Sequence, residues 1–324
     1  MPQSTAPDLT IIVPVYNAMA HLDGLVADVL QITDVRLEVI FVDDGSTDGS
    51  AAHIKALAKA NPHFLALHNA GNLGAGVARN TAFPHAKGRY TLFFDVDDRL
   101  HGHEIAPAIA LLDQSGADLG IFGYEYEREA ESAAMLDNDA RIWFNAIGEG
   151  ASRTLVLDEA PALLGFTNYP WNKLMRTGFY QDCGLKFGST KVNNDVLGHW
   201  FGLLYARKIT LINKILCTHI VLSDGGNLTN QRNALRMEMF VALHETYDLL
   251  CALPDRRQRY AHHFWTFAIT LSSWSRGRLA DEYLEAFRAE LQRLVSRINL
   301  SDYARIRRRR SERLAMSLKN VLIS

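Results

Sequence analysis

The chain has 324 residues, 48% apolar and 22% charged, enough for one large domain or two modest ones with a real core. A formal net charge of −2 leaves no global basic field for nucleic acid, so that partner is not expected. Three cysteines, Cys183, Cys217 and Cys251, stand far apart without CxxC spacing and read as reduced thiols, not a disulfide framework or a zinc site. Residues 1–8 lack a signal-peptide pattern and no apolar run approaches a membrane span, so a cytoplasmic protein is expected.

In chain order, residues 9–15 form a β-rich apolar run stopped at Pro14-Val15-Tyr16-Asn17. Leu22, Leu25, Val26 and Val29 give residues 21–30 helical spacing. Residues 37–42 are a second buried strand ending in Asp43-Asp44-Gly45-Ser46, and Thr47 or Asp48 can cap the helix through Ile54 and Leu57. A third strand at 64–68 leads through a Gly/Asn loop at 69–76 into a helix at 77–85. The fourth strand, residues 90–94, runs into Asp95-Val96-Asp97-Asp98. A helix is expected at 103–112 and a strand at 119–124, and residues 125–150 read as a polar loop or hairpin. A second patterned block covers 154–222. Beyond Gly225-Gly226 the chain turns helical, with Tyr283, Phe287, Leu291, Leu294 and Ile298 on one stripe. Strands alternating with helices predict an α/β fold with a parallel, right-handed βαβ sheet.

Three strand ends therefore carry polar clusters, and in a parallel sheet these ends lie side by side, where α/β proteins bind ligands. Acids as close as Asp95, Asp97 and Asp98 repel unless a cation sits among them. A hard divalent ion, Mn²⁺ or Mg²⁺, suits those oxygens and would bring a phosphorylated ligand. The glycine-containing loop is not a P-loop, because no Gly-Lys-Ser/Thr follows, nor a Rossmann fingerprint, because it follows the third strand.

The order of these motifs resembles the family-2 glycosyltransferases, inverting enzymes of the GT-A fold. The likeness is strong over residues 9–100 and looser to about 229. It implies a mainly parallel, Rossmann-like sheet flanked by helices, with a helical C-terminal extension. It also implies that Pro14, Tyr16, Asn17 and Asp43, with Asp44 beside them, hold the base of a nucleotide sugar. A carboxylate can accept the imide N–H of uracil and an aromatic ring can pack on the base. The family's N-x-G-x-x-x-A-R-N segment matches residues 72–80, which places Asn72, Gly74 and Arg79 near the diphosphate. Its D-x-D motif matches Asp95-Val96-Asp97, with Asp97 the main metal contact and Asp95 near the ribose and the metal. Trp171-Asn172-Lys173 resembles the segment lining the acceptor side.

Asn194-Asp195 falls where the family has Glu-Asp; Asp195 is expected to be the general base, with an N-cap as its plainer role. His199 and His219 could reach a cleft metal, although a lone histidine is more often a core residue. Residues 223–229 depart from the family's Arg-rich closing segment, and Arg232 or Arg236 could supply that charge. Arg305, Arg307, Arg308, Arg309, Arg310 and Arg313, followed by Leu314, Leu318, Val321 and Leu322, read as a basic amphipathic helix for a membrane surface, or as a face packing on its own protein or a second subunit.

The expected division is a nucleotide-sugar half at 1–125, an acceptor and catalytic-base half at 126–229, and a helical region at 230–324. The expected activity is metal-dependent inverting transfer from a UDP-linked sugar to a saccharide or glycolipid hydroxyl in surface polysaccharide assembly. The cytoplasmic protein would touch the inner membrane face peripherally and could form a homo-oligomer. A nucleotidyltransferase and a non-catalytic nucleotide-sugar-binding module are the alternatives.

Overall fold

A computed structural model describes residues 6–128, 131–221 and 233–323. The first half contains β1 (Leu9–Val15), α1 (Met19–Leu30), β2 (Leu37–Asp43), α2 (Ser50–Ala60), β3 (Phe64–His68), α3 (Ala75–Ala82), β4 (Tyr90–Phe93), β5 (Arg99–Leu100), α4 (Ile105–Ser115) and β6 (Leu119–Arg128). It continues through β7 (Glu131–Ala134), α5 (Asp137–Ile147), β8 (Ser152–Leu155), β9 (Lys173–Arg176), α6 (Thr177–Cys183), α7 (Asp195–Tyr205) and β10 (Ile209–Val221). Five helices follow: α8 (Glu238–Cys251), α9 (Pro254–Arg276), α10 (Leu284–Ser296), α11 (Leu300–Arg305) and α12 (Glu312–Ile323).

Among the described residues the strands form one sheet of order β3-β2-β1-β4-β9-β6-β10-β5, with β7 beside β6 and β8 beside β10. β1, β2, β3 and β4 pair in parallel, as the strand–helix alternation predicts. Every residue of β1 is buried, the mark of a strand covered on both faces. β6 and β10 form a second parallel pair. Between the pairs lies β9, antiparallel to β4 on one edge and to β6 on the other. The residue-125 division therefore falls within β6, and both halves share one sheet.

Residues 125–150 are part hairpin and part helix. β7 folds back on β6, and α5 buries Ile142, Trp143, Ala146 and Ile147 at helical spacing. Between those positions Phe144 and Asn145 face outward, and an exposed Phe blurs the apolar period. Tyr124 on β6 donates its hydroxyl hydrogen to Asp139, fixing the start of α5 to the sheet.

The C-terminal helices share the core of the sheet domain. Trp200 of α7 meets Phe264 of α9 edge-on at 5.7 Å, and Tyr247 of α8 stacks on Phe264 at 5.0 Å. Phe287 and Leu294 of the predicted stripe are buried, and Tyr283, Leu291 and Ile298 pack against the core. The expected basic amphipathic helix is not one element. Arg305 ends α11, residues 306–310 make a π-turn, and Arg313 opens α12. Leu314, Ala315 and Leu318 are buried, with α12 packed on α9 and α10, so the start of its apolar stripe is covered by its own protein, while Val321 is partly buried and Leu322 is exposed. Among the described residues no helix is long and apolar enough to cross a membrane.

Candidate active site

The β1, β2 and β4 ends converge as the parallel register requires. Tyr16 is 46% exposed at the rim and Pro14 is buried inside β1 beside Val42. Asn17 adopts φ 48°, a left-handed conformation that asparagine tolerates. Its Oδ1 accepts from Thr47 N at 2.7 Å, and its N–H donates to Ser46 Oγ at 3.0 Å, which ties the first strand end to the second.

Asp43 and Asp44 are both buried and have different partners, since successive side chains of an extended chain turn opposite ways. Asp43 accepts from Ser46 N at 3.1 Å and Gly45 N at 3.3 Å, and lies 2.7 Å from His68 Nδ1. Asp44 accepts from Gly74 N at 2.6 Å and Asn69 Nδ2 at 2.8 Å. Asp44 thus anchors the loop that leads into α3, while Asn72 is exposed on that loop. Gly74 has φ 95°, and a Cβ on Gly76 would stand 2.0 Å from Gly188 O and 2.8 Å from Asn194 Cβ. That contact is why the start of α3 needs a glycine: it packs directly on the segment leading to α7.

Arg79 departs from expectation. It is buried, with Nη2 donating to Asp95 Oδ1 at 2.5 Å and Nη1 to Asn194 Oδ1 at 2.7 Å. Its guanidinium also lies over Phe187, 5.2 Å from the ring centre. Its two Nη atoms join two protein groups, while its buried Nε has no hydrogen-bond partner among the described residues.

The acidic turn after β4 splits by burial. Asp95 is partly exposed beside Arg79. Asp97 is held above the usual carboxylate range by burial and by Asp95. Asp98 is buried, and burial pushes it up to about 7 although His219 opposes this. Its Oδ1 takes His219 Nδ1 at 2.8 Å and Ile220 N at 3.0 Å, while its buried Oδ2 has no hydrogen-bond partner among the described residues. An orphaned carboxylate oxygen beside two further acids fits a hard cation, with Asp97 and Asp95 the accessible ligands. No three His, Cys, Asp or Glu side chains converge as a closed cage among the described residues. A cation here would draw its other oxygens from a ligand, the habit of Mg²⁺-like ions at phosphates.

Asp195 opens α7 half-buried, and its carboxylate accepts no hydrogen bond from another described residue, so it is not acting as a cap. Burial raises its pKa, Arg79 and Lys173 oppose the shift, and Asp95 adds to it. His199, four residues on, is buried with Nε2 3.1 Å from Leu163 O, and burial holds its pKa well below normal. It is a core residue and reaches neither a metal nor a reacting proton.

Trp171, Asn172 and Lys173, expected to line the acceptor side, are all buried. Lys173 Nζ is ringed by Tyr169 O at 2.7 Å, Asn172 Oδ1 at 2.8 Å and Thr167 O at 3.1 Å. Tyr169 stacks on Trp171 at 5.0 Å, and His219 packs on both rings. Tyr169 and Tyr126, both half-exposed, pack on His219, and sequence reading singled out neither. The available signals were the two-residue offset of Tyr169 from Trp171 and the alternation along β6. Arg236 is buried with its guanidinium over Trp274 at 4.8 Å. Residues 223–229 and Arg232 lie outside the described residues.

Residues 10–167 match the family model for glycosyl transferase family 2. The chain is 25% identical over 209 residues to the glycosyltransferase GlyA of Streptococcus pneumoniae, covering 64% of this chain but only 30% of GlyA's length. It is 25% identical over 235 residues to Escherichia coli WfgD, a UDP-Glc:α-D-GlcNAc-diphosphoundecaprenol β-1,3-glucosyltransferase, covering 64% of this chain and 92% of WfgD. Among solved structures, residues 1–349 of S. aureus TarS in complex with UDP-GlcNAc superpose with a TM-score of 0.73 at 18% identity, over 98% of this chain and 88% of that one. The matched family model makes residues 10–167 a glycosyl transferase family 2 domain, and the sheet order and the likeness to TarS show the GT-A fold.

Proposed function

We propose that this chain transfers a sugar from a nucleoside-diphosphate donor, UDP-linked, to a hydroxyl of a saccharide or glycolipid acceptor, with inversion. The observation that carries the reading is Asp195: a carboxylate free of capping duty, raised by burial, and joined through Asn194 and Arg79 to the donor-side Asp95. Tyr16, Asn17 and Asp43 would receive the base, with Pro14 and Asp44 shaping their loops and Asn72 and Gly74 flanking the phosphates. WfgD is named for a UDP-Glc donor and the TarS structure is a complex with UDP-GlcNAc, which supports uridine. Asp97 and Asp95 would hold Mn²⁺ or Mg²⁺, whose chemistry is to neutralise charge on the departing diphosphate. Asp195 takes the proton of the attacking hydroxyl, and a base with a raised pKa accepts it readily near neutral pH. Tyr169 and Tyr126 would face the acceptor, with Trp171, Asn172 and Lys173 supporting them from behind.

The residue-125 division is proposed as functional: donor residues before it, acceptor and base residues after it, and the helices from 230 onward as a brace. Exposed Arg307, Arg308 and Arg313 suit peripheral contact with an anionic membrane face, held by charge.

The test is transfer from a panel of nucleotide sugars with Mn²⁺, read as nucleotide release and product anomer, in wild type and Asp195→Asn. Nucleotide affinity should persist in the variant, with transfer slowed by at least about a hundredfold. Normal transfer by the Asn variant would refute the base assignment.

A further inference from the structure

We propose that Arg79 is a positioning residue: one guanidinium holds the donor-side carboxylate Asp95 and, through Asn194, sets the place of Asp195. The inference rests on the transferase reading above. The two hydrogen bonds leave from different nitrogens of one rigid plane, so Asp95 and Asn194 cannot shift independently. Burial removes water as a substitute partner, and Phe187 beneath the guanidinium fixes its plane.

The neighbouring contacts lock the same segment. Asn80, next to Arg79 on α3, clamps Phe187 from both sides, donating Nδ2 to its O at 2.9 Å and accepting its N–H at Oδ1 at 2.8 Å. Gly188 N donates to Asn194 O at 2.7 Å. From α8, Glu238 accepts Lys191 N at 2.5 Å and Glu245 accepts Ser189 Oγ at 3.1 Å. Asn193, at φ 59°, makes the sharp turn before Asp195.

The neutrality of Asn194 matters as well. It accepts from Arg79 without cancelling its charge, so Asp95 is the one carboxylate in contact with that cation among the described residues. The remaining field of Arg79, with that of Lys173 on β9, favours ionised Asp195 against burial and against Asp95. The hydroxyl of Tyr169 faces the same space.

The experiment compares kcat, donor KM and pH profiles of wild type, Arg79→Lys, Asn194→Ala, Asn194→Asp and the double variant Arg79→Lys/Asn194→Ala. Lysine keeps the charge but cannot hold both partners. Its kcat should fall about a hundredfold, as for a misplaced reacting group, with donor KM little changed. The double variant should be no slower than Arg79→Lys alone, because both changes break one link. Asn194→Asp should keep the link but move the acid limb of the kcat profile to higher pH, since a second carboxylate beside Arg79 raises Asp195. A rise in donor KM that matches the fall in kcat would overturn the proposal and make Arg79 a donor ligand. Independent, multiplying effects of the two single changes would also overturn it. Full transfer by Asp195→Asn would defeat the reading underneath, and the link would then be judged by hydrogen exchange. Arg79→Lys should accelerate exchange at 188–195, and unchanged exchange refutes the link. Should Arg79→Lys fail to fold, the pH profile of Asn194→Asp decides, an unmoved limb refuting it.

Discussion

Replacing Lys173 by Met keeps the length of the stem and deletes the ammonium at the back of the acceptor side. Two opposed terms follow. The carbonyls of Thr167 and Tyr169 and the amide oxygen of Asn172 lose their donor, at about 1–3 kcal/mol each when buried. Against this, the protein no longer holds a cation in a site that depresses its pKa from 10.5 to about 7, chiefly by burial. That depression corresponds to about 5 kcal/mol against the charged form. At pH 7 the terms nearly offset, and the Met variant should lie within about 3 kcal/mol of wild type.

The pH dependence separates them. The folded protein releases this proton at lower pH than the unfolded chain, so between about 7 and 10.5 the unfolded chain binds more protons and wild-type stability rises with pH. The slope approaches about 1.4 kcal/mol per pH unit, and below about 7 it vanishes. Urea unfolding of both proteins from pH 7 to 10 should therefore show their difference widening by about 4 kcal/mol in favour of wild type. Taking the difference cancels the cysteines, whose raised pKa values act in the same range. Parallel curves would refute the reasoning and show that the three oxygens keep Lys173 charged.

Asp97→Ala should abolish the metal-dependent part of UDP affinity while the protein stays folded; calorimetry with and without Mn²⁺ measures this, and unchanged affinity rejects the metal assignment. Asp43→Asn, which keeps an acceptor for the Ser46 N–H but turns an amide nitrogen toward the Gly45 N–H, should cut the preference for uracil by about 1.5–3 kcal/mol, read from competition between UDP and other diphosphates. Gly76→Ala should displace the segment near Gly188 and Asn194, costing about 1–3 kcal/mol of stability and slowing transfer more than it weakens UDP binding.

Much of the donor side was legible because it is local. Apolar strands at 9–15 and 64–68, the Asp pairs at strand ends and the glycines before α3 are short-range patterns with direct physical meaning. The missing parts are long-range. Arg79 and Asn194 are separated by 115 positions, and nothing near either residue announces their bond. Trp171-Asn172-Lys173 is singled out by its resemblance to a family segment, which says nothing of burial; all three are buried because β9 enters the sheet between β4 and β6. The helix α5 escaped notice because an exposed Phe144 and a buried Asp139 blur the period of Ile142, Trp143, Ala146 and Ile147. His219 meets Asp98 because the two-residue strand β5 pairs with β10 at Cys217 and Thr218, too short a strand to read from sequence.

The antiparallel strand β9 also limits how the molecule can move. It is hydrogen-bonded along both edges, to β4 on the donor side and to β6 on the acceptor side. A hinge between those sides would have to break one of these two ladders, so the continuous sheet holds them as one body. The cleft is therefore a fixed frame, and substrate and product must pass its rim without a relative rotation of the two sides.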